Sequence, residues 1–185
     1  MSSLNSNIVY QFFCPLIILS LVFVSCKEER KSKNSQEVNV VLDSRSNSET
    51  TGEVFLIQKE EVVTLEATIK GLTPGGTHAI HIHEYSDCSA DDGTSTGGHW
   101  NPTFENHGKW GSPEGFHRGD IGNFQADESG IGTITFSTNL WCIGCEDETK
   151  NVLNKSIIVH QDPDDYISQP TGAAGSRISC GGIIK

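Results

Sequence analysis

Positive charge is scarce in this chain. Its 185 residues carry 13 Lys+Arg against 24 Asp+Glu, a formal net charge of −11. A surface of that sign repels phosphate backbones, which excludes nucleic-acid binding as the main activity. Methionine is short too, with one residue, whereas glycine reaches 19. Together with many stretches of alternating apolar and polar residues, this points to strands and turns rather than helices. Long apolar runs are also lacking. The one at 12–24 falls short of the roughly 20 residues a spanning helix needs. With 35% hydrophobic and 20% charged residues, the chain is too apolar for disorder and too polar for a multi-span membrane protein. What remains is one compact, acidic, β-rich domain with a small appendage.

The appendage is residues 1–26. Phe12–Val24 is almost wholly apolar and has the length of a signal-peptide core, although Met1–Gln11 holds no Lys or Arg. The run ends in Leu21-Val22-Phe23-Val24-Ser25-Cys26, which resembles a bacterial lipobox. Cys26 is therefore expected to carry lipid and become the mature N-terminus, a plain secreted protein being the alternative. Residues 27–36 hold no apolar side chain and read as a solvated tether, about 35 Å long when extended. The start of the tether, Lys27-Glu28-Glu29, also resembles a signal that sends some lipoproteins to the cell surface. The expected location is the bacterial cell envelope, lipid-anchored and either periplasmic or surface-exposed. The domain is expected over residues 37–185.

Eight short stretches read as strands: 38–42, 53–58, 61–70, 78–83, 121–126, 131–136, 156–160 and 177–184. Gly-, Pro- and Asp-rich connections separate them, as in an antiparallel sandwich or barrel. Between two of them lies Glu84–Asp120, with seven glycines and few aliphatic side chains. A loop of that length needs something other than a hydrophobic core to hold it. A metal ion or a disulfide would serve. Beyond the appendage the chain has four cysteines, Cys88, Cys142, Cys145 and Cys180, an even number with three connectivities.

The seven histidines carry the chemistry. His81 and His83 share one face of a strand, about 7 Å apart. His78 shares the other face with Ile80 and Ile82, so it reads as a hydrogen-bonded residue behind the site rather than a ligand. His99, His107, His117 and Asp120 fall in or at the end of the long loop, and His160 ends a later strand. Without His78, six histidines and one aspartate are one short of two four-coordinate sites. A shared imidazolate, which offers two nitrogens, closes that gap. Imidazoles with one carboxylate suit zinc, and an all-imidazole set suits redox-active copper.

Five segments carry a family resemblance: Gly75-Gly76-Thr77-His78-Ala79-Ile80-His81-Ile82-His83-Glu84, Gly97-Gly98-His99-Trp100-Asn101-Pro102, His117-Arg118-Gly119-Asp120-Ile121-Gly122-Asn123, Ile158-Val159-His160, and Gly172-Ala173-Ala174-Gly175-Ser176-Arg177-Ile178-Ser179-Cys180-Gly181. In order and spacing they resemble the copper/zinc superoxide dismutase family over about Val38–Lys185. The resemblance implies an all-β fold, an eight-stranded antiparallel Greek-key barrel with long metal-binding loops. It implies dismutation of two superoxide anions to oxygen and hydrogen peroxide by Cu(II)/Cu(I) cycling. By the same resemblance, His81, His83, His99 and His160 would hold copper, and His99, His107, His117 and Asp120 would hold zinc, with His99 as the bridge. Asp164 would hydrogen-bond His81 and His107 from behind, Arg177 would attract and orient superoxide, and Cys88 would pair with Cys180.

Two departures stand out. Residues 162–170 offer no cation, so anion steering falls to Arg177, the metals or other loops. Trp141-Cys142-Ile143-Gly144-Cys145 reads as a small disulfide-closed loop, with a copper-collecting thiol pair as the alternative. Trp100, Trp110 and Trp141 read as packing residues. A copper-delivery module and a purely structural barrel are the competing functions. The presence of His107, His117, Asp120 and Arg177 speaks against the first, and metal analysis with a superoxide assay separates all three. The sequence leaves the oligomeric state open, a homodimer included.

Overall fold

A computed structural model describes residues 35–185; the signal-like segment, Cys26 and most of the tether lie outside the described residues. Eight strands follow in order: β1 (Gln36–Ser44), β2 (Thr51–Lys59), β3 (Val62–Lys70), β4 (Thr77–His83), β5 (Gly122–Gln125), β6 (Gly132–Thr138), β7 (Ser156–His160) and β8 (Arg177–Gly182). Each lies on a stretch whose alternation predicts a strand, with no end moved by more than two residues. One boundary needs correction. Gln36, assigned above to the tether, begins β1 and pairs with Gln58 of β2. Backbone pairing needs no apolar side chain, so polarity alone sets the boundary too late.

All neighbouring strands are antiparallel, in the order β5-β4-β7-β8-β1-β2-β3-β6. The two end strands, β5 and β6, are consecutive in sequence, and Ala126 bridges to Gly132 across the turn between them. The sheet is thereby nearly closed. The neighbours β3–β6 and β4–β7 are far apart in sequence, so the chain crosses the barrel ends in the Greek-key manner.

The core follows from alternation. In β1, Val38, Val40 and Leu42 are buried, and in β3 Val63, Leu65, Ala67 and Ile69 are. Register stacks them, with Val40 opposite Val54 and Leu65 opposite both Leu56 and Phe136. A one-residue slip would turn these side chains to solvent, which is why the register holds.

Strand β4 is different. Its last six residues are all buried, so both its faces are covered. Ile80 and Ile82 face the barrel core, while His81 and His83 lie under the long loop. That loop is bonded to Ile82 of β4 and to itself. Ile82 donates to the Gly119 carbonyl at 2.9 Å, Trp100 donates to the Ile82 carbonyl at 2.8 Å, and Gly119 donates to the Trp100 carbonyl at 3.0 Å. Gly119 lies so close that a Cβ would collide with the Ile82 carbonyl. Disulfides join Cys88 to Cys180 and Cys142 to Cys145.

Leu65 is fully buried at the centre of this packing. Leu65→Ala is expected to lower stability by about 2–5 kcal/mol, read from the urea midpoint of the metal-free protein.

Candidate metal centre

The structure gathers the seven candidate ligands into two groups that share one residue. One ligand atom from each of His81, His83, His99 and His160 lies within 4.8 Å of the others, and the same holds for His99, His107, His117 and Asp120. All seven are buried. The strands supply His81, His83 and His160, and the loop supplies the rest. A register shift between Val159 and His160 is a bulge of the kind that re-aims a side chain beside a site. Behind it, His78 Nδ1 donates to the His160 carbonyl at 3.0 Å. His78 is in neither group; it holds the backbone of a residue that is.

Hydrogen bonds decide which nitrogen of each ring faces the centre. A carbonyl or carboxylate oxygen only accepts, so the nitrogen opposite it carries the proton. His81 Nε2 donates to Asp164 Oδ2 at 3.0 Å, and His107 Nε2 donates to Asp164 Oδ1 at 2.9 Å. His83 Nδ1 donates to the Gly97 carbonyl at 3.1 Å, His117 Nε2 to the Glu105 carbonyl at 3.1 Å, and His160 Nδ1 faces the Gly175 carbonyl at 3.4 Å. The other nitrogen of each ring points inward. His83 Nε2 and His160 Nε2 lie 3.4 Å apart.

Two inward nitrogens, His81 Nδ1 and His99 Nε2, have no hydrogen-bond partner, and His107 Nδ1 and His117 Nδ1 face only Asp120, at 3.0 and 3.3 Å. Each such buried orphan costs about 1–3 kcal/mol, so two in one cluster fit a cation held in common. His99 turns its two nitrogens to different groups. Its Nδ1 lies 2.8 Å from Asp120 Oδ1, and its Nε2 is left for the all-imidazole group. Asp120 is itself oriented, since Oδ2 accepts from the backbone N–H of His117 at 2.8 Å and of Gly108 at 3.2 Å.

Burial works against the charge of both aspartates, yet both carboxyls are held well below the ordinary range. For Asp120 the hydrogen bonds to His107, His117 and His99 prevail, and for Asp164 those to His107 and His81. Burial and neighbouring rings pull His83 and His160 well below the usual imidazole value, and His99 down to about 4. Burial also opposes charge on His107, but its hydrogen bonds to Asp120 and Asp164 outweigh that and raise it to about 9. Most of the centre is thus ready to bind cations at neutral pH without first losing protons.

Reasoning from sequence missed several residues that hold this centre in place. Asn123 brackets the Asp164 backbone, with Nδ2 donating to its carbonyl at 2.8 Å and Oδ1 accepting from its N–H at 2.7 Å. Gln169 does the same for His107, at 2.8 and 2.9 Å. Gly172, at φ +70°, leaves room where a Cβ would strike the Asp164 carboxylate and the His107 ring. Asn123 lies inside a recognised motif; nothing in the chain marks Gln169. Trp141 is fully buried and its Nε1 donates to the Arg118 carbonyl at 2.8 Å. The Cys142–Cys145 loop therefore begins at a residue that braces the segment bearing His117 and Asp120.

Two outcomes follow. Asp164→Asn removes one of the two acceptors behind His81 and His107 and should weaken zinc retention about 10–100-fold, read by chelator competition. The second concerns the metal-free protein. Below pH 6.5, the ordinary imidazole value, the unfolded chain binds more protons than the folded His83, His99 and His160, so stability falls as pH drops. The His107 contribution is complete below that value and is lost as pH rises through about 9. Unfolding midpoints should therefore be highest near neutrality and lower at about pH 5 and about pH 9.

The profile of the family described as copper/zinc superoxide dismutase matches residues 50–183. Superoxide dismutase [Cu-Zn] 2 of Aquifex aeolicus is 35% identical over 142 residues, 75% of this chain and 81% of that protein. Superoxide dismutase [Cu-Zn] 1 of the same organism is 36% identical over 141 residues, 74% of this chain and 81% of that one. The copper chaperone for superoxide dismutase of Rattus norvegicus is 34% identical over 71% of this chain but only 47% of its own length. Among solved structures, a SOD-like protein from Bacillus subtilis superposes with a TM-score of 0.72 at 26% identity, covering 82% of this chain and 100% of that one. Two ligand groups that suit copper and zinc, an eight-stranded barrel and a family match over most of the domain agree: the chain belongs to the copper/zinc superoxide dismutase family.

Proposed function

We propose that His81, His83, His99 and His160 hold copper, that His99, His107, His117 and Asp120 hold zinc, and that the chain acts there as a superoxide dismutase. The observation that carries this reading is the gathering of seven buried ligand residues into two groups that share His99. When bound, copper supplies the one-electron Cu(II)/Cu(I) couple that turns two superoxide anions into oxygen and hydrogen peroxide, while redox-silent zinc fixes geometry.

The protein's own groups do the rest. His99 Nε2 is a buried imidazole nitrogen able to hold a proton and pass it to nascent peroxide. Asp164 accepts from Nε2 of His81 and of His107, which turns Nδ1 of each toward the centre. Arg177, half-buried, donates from Nη1 to the Gly93 carbonyl at 2.7 Å and to Thr96 Oγ1 at 2.9 Å. Among the described residues its Nε and Nη2 take no protein acceptor, which leaves that edge for an anion. A fixed cation in a recess raises local anion concentration whatever the net charge of −11. The Cys88–Cys180 bond, three residues from Arg177, ties this edge to the loop; closing a 92-residue separation adds on the order of 4–5 kcal/mol in the entropy model.

Two disulfides fit an oxidising compartment outside the cytosol. The lipobox-like segment supports a finer reading, in which Cys26 anchors the domain of residues 37–185 to the cell envelope through the polar tether. A copper-delivery role, suggested by the rat chaperone's similarity, is less well supported, because the second ligand group and Arg177 are complete here.

The test is metal analysis with a superoxide assay before and after chelation. Protein that holds both metals yet leaves superoxide decay unchanged rules the reading out. Arg177→Ala is expected to lower kcat/KM about 10–100-fold with both metals retained. A wild-type rate in that variant removes Arg177 from the mechanism.

A further inference from the structure

The segment from Cys88 to Gly97 carries no ligand of either group, yet three parts of the fold grip it. From the β1–β2 connection, Arg45 donates twice to the Cys88 carbonyl, from Nε at 2.9 Å and from Nη2 at 2.6 Å. The next residue, Ser46, donates from its N–H to the Asp91 carbonyl at 2.7 Å and from Oγ to the Arg177 carbonyl at 2.9 Å. From β8, the Arg177 guanidinium reaches Gly93 and Thr96. From the end of β4, the Tyr85 N–H donates to the Thr96 carbonyl at 2.9 Å.

Thr96 is where these contacts meet. It is fully buried. Its hydroxyl donates to the Gly93 carbonyl at 2.8 Å, which places its only proton and leaves the oxygen to accept. That oxygen takes Arg177 Nη1 at 2.9 Å and lies 3.4 Å from His83 Nδ1, the outward nitrogen of a copper-group ring. One buried oxygen therefore touches both the cation that would meet the anion and a ring that would hold the metal. Arg45 matters because its two hydrogen bonds to the Cys88 carbonyl hold the start of the segment that carries Gly93 and Thr96.

We propose that Thr96 is a positioning residue that sets where the Arg177 guanidinium stands relative to the copper histidines, on a segment that Arg45 braces from behind. This rests on the role given to Arg177 above. Without the hydroxyl, Nη1 keeps one acceptor instead of two, and a long flexible side chain held at one point samples more positions.

Thr96→Val removes the hydroxyl and keeps the shape; Thr96→Ser keeps the hydroxyl. Three readouts separate positioning from packing. Azide affinity of the copper- and zinc-loaded protein, by absorption titration, is expected to weaken about tenfold in Thr96→Val, the size of one charge-assisted hydrogen bond. KM for superoxide should rise with kcat nearly unchanged and both metals retained. In the metal-free protein, proton exchange at the Arg177 guanidinium, followed by NMR, should quicken. Thr96→Ser should restore all three. Wild-type azide affinity and exchange in Thr96→Val overturn the proposal, and so does a loss that Thr96→Ser fails to restore. Should Thr96→Val not fold, Arg45→Gln serves: faster Arg177 exchange supports the brace, and unchanged exchange overturns the proposal. The azide and exchange readouts stand even if the loaded wild type turns over no superoxide, so the failure of the dismutase reading is distinguishable from the failure of this one.

Discussion

Asp164 places one carboxylate oxygen on His81 and the other on His107, at 3.0 and 2.9 Å. It joins the two ligand groups from outside, as His99 joins them from inside. Much else in the structure serves this arrangement. An imidazole has two nitrogens and can ligate with one only if the other is bonded elsewhere, because a freely rotating ring presents neither reliably. Here five rings have the outer nitrogen facing an acceptor: a carboxylate for two and a backbone carbonyl for three. The backbone of Asp164 is clamped in turn by Asn123. Order is thus passed from β5 through a carboxylate to the rings of both groups.

The barrel makes such clamps affordable. A chain that buries Val40, Leu56, Leu65, Ile80 and Ile157 has a core that the loops join through Trp100, Trp141, Ile143 and Val152. A disulfide, hydrogen bonds to Ile82 of β4 and the ligand groups hold the loops further. Strand β4 links the two layers. Ile80 and Ile82 belong to the core and His81 and His83 to the centre, so packing on one face orients chemistry on the other. The bulge before His160 does the same from β7, with His78 holding the shifted carbonyl.

Charge is distributed with similar economy. A net −11 would oppose an anionic substrate if it acted as a uniform field, but at a Debye length of about 8 Å most of it is screened at the site. In the role proposed for Arg177, what the anion would meet is local: an arginine whose Nη1 is tied to the protein and whose remaining donors take no acceptor among the described residues. Residues 162–170 supply no cation, which makes the position of that one guanidinium consequential. It explains why the segment beneath it is held from β1, β4 and β8 together.

Much of this was legible in the chain. Strand positions follow from alternation, a property of neighbouring residues, and all eight lie where it puts them. The candidate ligands follow from residue type, because few side chains bind copper or zinc, and two of them lie two apart on one strand. The tether was carried one residue into β1, because Gln36 pairs through its backbone, which side-chain polarity does not report. Arg45, Thr96 and Gln169 left no local mark, since an arginine in a turn or a threonine in a loop is commonplace. By itself, then, the sequence determined the strands, the set of groups able to hold metals and the need for something to pin a glycine-rich loop. Only the tertiary structure decided which nitrogen of each ring faces the centre, which oxygen stands behind it and what holds Arg177. Those choices rest on hydrogen bonds between residues as far apart as Ser46 and Arg177, 131 positions in the chain. Spacing cannot encode such contacts, because they exist only once the barrel has closed and brought its connections together.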